Sequence, residues 1–207
     1  ELTTKWARRS KDHFRGQGML FGIVQGSTYL DLRKRAAEEL MGIGFDGYSI
    51  GGVSVGEPRE LLYDITEHTA KLLPEDRPRY LMGVGMPCDM VEAIARGADM
   101  FDCVVPTRNG RNGQAFTFEG DLQMRNAKYK EDQSPIDEGC GCYACRNHSR
   151  SYIRHLFNSE EILGLRLVSL HNLYFYVKLI KLCRKAIEED RFGSFRTEFI
   201  NKYNNKL

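Results

Sequence analysis

Four strand-sized apolar runs, the first three each followed by a stretch of helical periodicity, constrain this chain more than any other feature. The runs are Met19–Gln25, Gly47–Gly52, Arg79–Val84 and Met100–Val105. Near-continuous apolar runs of this length belong to strands covered on both faces, and alternation with helices is the signature of a parallel sheet. After Gly26 the positions Leu32, Ala36, Leu40 and Ile43 recur at close to 3.6 residues. A second helix is predicted from about Glu57 to Leu73, and a third opening at Asp89 with Glu92 in capping-box position and ending before Gly97. A short helix over Thr3–Phe14 precedes the first strand, and Pro106 stops the last. The fold class expected is α/β. Both an open sheet and a barrel fit, but four units cannot close an eight-stranded barrel, so a barrel parent makes this chain its second half.

The pattern changes after Pro106. Thr107–Gly113 reads as a Gly/Asn/Arg loop, Gln114–Phe118 and Asp121–Met124 as a hairpin around Glu119-Gly120, and everything from Ser149 onward as helical. Leu173, Tyr176, Ile180, Cys183 and Ile187 are spaced as one amphipathic stripe. The expected organisation is a βα region over 1–113 and a hairpin, cysteine-bearing insert and helices over 114–207.

Charge and composition exclude several classes. With 30 Lys+Arg against 28 Asp+Glu the net charge is +2, too small to hold nucleic acid by bulk charge, so any such contact is local. No apolar run approaches the roughly 18 residues that span a bilayer, and no signal peptide is visible. The first residue is Glu1, not Met, and the chain is read as starting mid-protein.

Of the six cysteines, Cys140, Cys142 and Cys145 lie within six residues while Cys88, Cys103 and Cys183 are scattered. Neighbours this close strain to bridge one another but converge readily on a soft metal ion, which points to zinc in a reducing compartment. The fourth ligand must come from elsewhere. His171 is the expected one, with His148, His155 and Cys183 as rivals. Four protein ligands leave no open position, so the Zn2+ is expected to be structural.

Asp102 sits within the last apolar run, two residues before the Val104-Val105-Pro106 exit, where carboxyl ends of parallel strands face the ligand crevice. Arg108 and Arg111 follow within nine residues among glycines and asparagines, a composition suited to phosphates beside a reacting sugar.

The segments Val24-Gln25-Gly26-Ser27, Gly44–Tyr48, Gly51–Glu57, Tyr80–Gly85 and Met100–Arg108, with Cys140-x-Cys142-x-x-Cys145 and Leu170-His171-Asn172, resemble the tRNA-guanine transglycosylase family along essentially the whole chain. The resemblance implies the second half of a (β/α)8 barrel with an inserted zinc subdomain and C-terminal helices. It makes Asp102 the nucleophile that attacks C1′ of the ribose carrying the target guanine. It maps the base pocket onto Gln25, Gly51, Gly52, Val53, Val55, Tyr80, Met82 and Gly83, and anticodon-loop contacts onto Thr107, Arg108 and Arg111. Val55 resembles the bacterial members, which take 7-aminomethyl-7-deazaguanine. The implied setting is cytoplasmic, with a tRNA anticodon loop and a 7-deazaguanine base as partners, no membrane, and a homodimer formed through the zinc-bearing region. Met86 departs from the lysine found there in some members. The family's general acid/base aspartate has no counterpart here, so the chain alone is expected to be inactive. Two other readings compete: a non-catalytic zinc-containing tRNA-binding subunit of the same fold, and a metabolic barrel enzyme using Gly83-Val84-Gly85 as a phosphate loop, although that spacing is not G-x-G-x-x-G.

Overall fold

The four apolar runs form one parallel sheet. A leading helix α1 (Leu2–His13) is followed by β1 (Phe21–Val24), α2 (Leu30–Ile43), β2 (Gly47–Ile50), α3 (Arg59–Leu72), β3 (Arg79–Leu81), α4 (Pro87–Ala95) and β4 (Met100–Phe101). The strands lie in the order β1-β2-β3-β4, each parallel to the next. In this computed structural model, which describes residues 1–53, 56 and 58–204, the chain divides into two compact units, Glu1–Cys103 and Val104–Leu207.

In the first unit Val24, Tyr48, Ile50 and Leu81 are buried together with Leu40, Ile65, Met90 and Val91 from the helices. Phe21 and Ile23 are only half-buried, so β1 alternates between a covered and a more open face. Phe21 lies over Gly47, where a Cβ would come within 2.3 Å of its ring, and meets the ring of Tyr80 edge-on at 6.3 Å. Glycine at 47 is thus what allows an aromatic side chain to cross the sheet surface.

Two helices differ from the sequence expectation. In α2 the buried residues are Arg33, Ala37 and Leu40, while Leu32 is 48% exposed. The helix is rotated so that an arginine faces inward, for a reason given below. In α4 the N-cap is Met86 with Pro87 in the first turn. Asp89 is therefore not a cap. It is buried and accepts a hydrogen bond from the Tyr63 hydroxyl at 2.6 Å, with Arg59 Nε 3.5 Å away. Proline at the first helical turn lacks only an N–H that no helix uses, and takes over the starting role.

The second unit begins with another departure. The residues expected as a loop form helix α5 (Val105–Arg111), with Pro106 in its first turn, so β4 ends at Phe101 and Pro106 begins a helix instead of ending a strand. A Cβ on Gly110 would fall 2.9 Å from Ser169 Cα. The glycine is there because another helix crosses the backbone at that point, not because the segment turns. The hairpin forms as expected: β5 (Gln114–Thr117) pairs antiparallel with β6 (Gly120–Gln123), Thr117 opposite Gly120, leaving Phe118 and Glu119 as the turn.

Beyond it come α6 (Tyr143–Asn147), α7 (Arg150–Asn158), α8 (Ile162–Glu188) and α9 (Phe192–Asn204). The buried face of α8 runs Leu167, Val168, His171, Asn172, Phe175, Tyr176, Leu179, Cys183, Ala186, in steps of one, three and four that keep to one side of a helix. Of the expected stripe, Tyr176 and Cys183 belong to it, whereas Leu173 and Ile187 are about half exposed, at 48% and 52%. No helix among the described residues is long and apolar enough to cross a membrane.

Candidate active site and metal centre

Strand register places Gln25, Gly51 and Met82, three of the residues expected in the base pocket, in one row with Asp102. Val24 pairs with Ile50, Ile50 with Leu81, and Leu81 with Phe101, so the next residues, Gln25, Gly51, Met82 and Asp102, leave the sheet side by side at its carboxyl edge. With strands spaced at about 4.8 Å, the row from Gln25 to Asp102 covers roughly 14 Å. That is the edge at which open parallel sheets and barrels hold ligands.

Asp102 is exposed but anchored. Its Oδ1 accepts the Gly83 N–H at 3.0 Å, and the same carboxylate acts on the Tyr80 hydroxyl. That interaction, together with partial burial, raises the pKa of Tyr80 above the ordinary phenol value. With the Gly83 amide committed to a carboxylate, this turn is not arranged as a phosphate loop.

At the other end of the row the Gln25 amide lies against two glycines. A Cβ on Gly51 would sit 3.0 Å from Gln25 Nε2, and one on Gly52 2.8 Å from Gln25 Oε1. Gly52 also has φ +68°, so both space and backbone geometry require glycine there. Val53 is buried and Met82 half-buried. Val55, expected to set base selectivity, lies outside the described residues. Thr107, Arg108 and Arg111 all fall on α5, the two arginines exposed.

The cysteine cluster is closed by His171. Its Nδ1 is 3.7 Å from Cys140 Sγ, 3.6 Å from Cys142 Sγ and 3.3 Å from Cys145 Sγ, and the four ligand atoms all lie within 4.8 Å of one another. Zinc bond lengths and a tetrahedral angle predict S···N edges of about 3.6 Å. The side chains therefore already have the spacing of a tetrahedral Cys3His zinc site. His171 Nε2 is 2.9 Å from the Phe116 carbonyl; a carbonyl only accepts, so Nε2 carries the proton and Nδ1 is left to bind metal. The rivals fall elsewhere: His148 stacks on Tyr152, His155 is exposed, and burial in an apolar setting pushes the Cys183 thiol up to about 12.

The donor set itself calls for a cation. Hydrogen bonds from Cys140 and Cys145 pull the Cys142 thiol below its ordinary range, while bonds to Cys140 and Cys142 push Cys145 up. Without metal the three sulfurs cannot all ionise side by side; a divalent ion allows it. Burial lowers the His171 imidazole, but the bonds to Cys140 and Cys142 outweigh it and hold it up at about 9. The loop is also held from outside, Lys178 Nζ donating to the Gly139 carbonyl at 2.9 Å.

A match to the family described as Queuine tRNA-ribosyltransferase extends over residues 1–205. This chain belongs to that family. It is similar to the queuine tRNA-ribosyltransferase of Thermoanaerobacter pseudethanolicus, 56% identical over 208 residues covering 100% of this chain and 56% of that protein. The protein of the same name from Pelotomaculum thermopropionicum is 55% identical over 98% of this chain and 55% of its own length. That of Francisella tularensis subsp. novicida is 55% identical over 98% and 56% respectively. The chain thus spans little more than half the length of these relatives.

Within this queuine tRNA-ribosyltransferase family member, two buried polar residues carry roles that the motifs did not reveal. Asn172 donates to the Pro106 and Gln114 carbonyls, both at 2.9 Å, and accepts the Phe116 N–H at 3.0 Å. Together with His171 it holds both backbone groups of Phe116. Arg33 is 0% exposed. Its signal in the sequence is a charged residue one helical turn before Ala37 on the buried face of α2, a position where an arginine is costly unless its donors are satisfied.

Proposed function

We propose that this chain is the nucleophile-bearing, zinc-stapled part of a tRNA-guanine transglycosylase. The observation that carries the proposal is the anchored carboxylate of Asp102 standing in one row with Gln25, Gly51 and Met82. In this reading the four βα units are the second half of a (β/α)8 barrel, and the more open face of β1 belongs to the barrel interior. The functional division runs between the barrel part, 1–113, and the zinc-bearing part, 114–207.

Asp102 attacks C1′ of the ribose that carries the target guanine. The Asp102 O–C1′ bond forms as C1′–N9 breaks, and the guanine leaves with the electron pair and takes up a proton. An incoming base then attacks C1′ through its own N9, gives up its N9 proton to the general acid/base and displaces the carboxylate. Two displacements retain configuration, as in retaining glycosidases, whose oxocarbenium-like transition state is likewise stabilised by an adjacent carboxylate. Gly83 N–H holds the carboxylate in place beforehand, so little reorganisation is left for the reaction itself. The resemblance assigns the general acid/base to sequence outside these 207 residues.

Gln25, Gly51, Gly52, Val53, Tyr80, Met82 and Gly83 form the base pocket, and Thr107, Arg108 and Arg111 contact the backbone of an anticodon loop whose wobble guanine is flipped out. The target is position 34 of tRNAs with G-U-N anticodons, and the incoming base is 7-aminomethyl-7-deazaguanine. Val55 sets that choice, so Val55→Gly shifts selectivity toward queuine, and unchanged selectivity counts against the assignment. The working form is a cytoplasmic homodimer. Leu170, Leu173, Tyr174 and Val177, 42% to 56% exposed on the outer side of α8, support that surface as the contact. Cys140, Cys142, Cys145 and His171 would hold zinc with all four positions filled, and the ion would supply structural cross-linking there. The test is exchange of labelled guanine into such a tRNA by the complete gene product. Exchange confined to G-U-N anticodons supports the proposal; tRNA binding without exchange supports a binding subunit instead.

A further inference from the structure

Arg33 is the residue whose placement asks most for an explanation. It is wholly buried, far from any surface role, and its Nε and Nη2 donate to backbone carbonyls in the segments that follow two adjacent strands. Nε donates to the Ser27 carbonyl at 2.7 Å. Nη2 donates to the Gly51 carbonyl at 2.9 Å and lies 3.5 Å from that of Gly52. The planar fork of arginine can span such a set; the single ammonium of lysine cannot.

The two loops it joins are the ones that carry Gln25 and the paired glycines. The turn after β1 is tightly wound, with Gly26 at φ +143° and Ser27 at φ +49°. A Cβ on Gly26 would fall 2.8 Å from Arg33 Cγ, so the arginine stem passes directly against that backbone. A side chain that binds a carbonyl also fixes the opposite end of the same peptide, because C=O and N–H of a trans peptide point in opposite directions. With the Gly51 carbonyl turned toward Arg33, the Gly52 N–H points away from it. With the Gly52 carbonyl drawn the same way, so does the Val53 N–H. Among the described residues neither N–H has a backbone acceptor.

We propose that Arg33 is a positioning residue for base recognition: by holding the Gly51 and Gly52 carbonyls it aims the Gly52 and Val53 N–H groups as a pair of donors for a purine carbonyl oxygen. This rests on the base pocket proposed above and adds to it the group that orients the pocket's backbone. The oxygen at C6 is the acceptor that distinguishes guanine from 2-aminopurine, so Arg33 is a determinant of that discrimination. A donor pair oriented in advance penalises a base that lacks the acceptor more than flexible donors do.

The test uses the complete gene product and three proteins, wild type, Arg33→Lys and Gln25→Leu. It measures KM for guanine, KM for tRNA and inhibition by 2-aminopurine. Arg33→Lys is expected to raise the guanine KM about tenfold with the tRNA KM unchanged, and to narrow the preference for guanine over 2-aminopurine. If Gln25→Leu weakens guanine but Arg33→Lys raises both KM values alike and keeps the preference, the positioning role is overturned while the pocket stands. If Gln25→Leu leaves guanine untouched, the pocket itself is wrong and the inference falls with it. Hydrogen exchange of the wild type needs no variant to fold. The Gly52 and Val53 amides should exchange readily in the free protein and slow with guanine, and amides already protected without base overturn the proposal.

Discussion

At the scale of single residues, His171 and Asn172 show buried polar side chains holding the backbone around them. Asn172 satisfies three backbone groups at once. Asn172→Leu should therefore cost about 1–3 kcal/mol for each group left unpaired, read from denaturant unfolding of the zinc-loaded protein; a loss below that range would mean water replaces the side chain. The Tyr80–Asp102 interaction gives a spectroscopic handle. Because the carboxylate raises the pKa of Tyr80, the phenol should titrate above the other exposed tyrosines, and Asp102→Asn should return it toward them. The sign follows: this interaction adds stability below the ordinary tyrosine pKa and loses it as pH rises through the raised value. An absorbance titration of wild type minus Tyr80→Phe, repeated in the Asp102→Asn background, measures the shift. An unshifted Tyr80 would mean that the carboxylate does not act on it.

Among the elements, the strands of the sheet were legible because an apolar run covered on both faces has few alternatives. So were the hairpin and the zinc ligands, where local chemistry decides the structure. Helix α5 was not, since Gly110 looks like a loop residue until Ser169 is seen against it. Nor was the orientation of α2, because a buried arginine breaks the apolar pattern that periodicity relies on; the exposed Leu32 and buried Arg33 exchange the roles their hydropathy suggests. Asp89, read as a cap, is explained by its tertiary partner Tyr63. In each case a contact distant in sequence overrode a local signal. The α5 case has a direct consequence: Gly110→Ala should cost about 1–3 kcal/mol by overpacking. Ser169→Ala should not restore it, because the clash includes the Ser169 backbone. Full rescue by that second change would show that only the hydroxyl is in the way.

On the scale of the molecule, metal and fold are linked. The side chains of Cys140 and Cys142 sit within the same buried cluster as Met124, Ile136, Ile153 and Phe157, so zinc binding energy is also folding energy for the unit Val104–Leu207. One zinc per chain is expected. Removing it should collapse hydrogen-exchange protection in that unit first, while the sheet of Glu1–Cys103 keeps its own. Zinc takes its cysteine ligands as thiolates, so thiol protons must leave as it binds. Loading zinc should therefore release protons, and acidification should release zinc. Metal uptake without proton release would contradict the ligand set.

The central claim is that Asp102 forms a bond to ribose, and trapping that bond tests it most directly. The complete gene product, incubated with a G-U-N tRNA and a competing base and then denatured, should yield an RNA–protein adduct that peptide mass mapping places on Asp102 and that Asp102→Asn abolishes. An adduct that survives Asp102→Asn, or maps to another residue, would contradict the account.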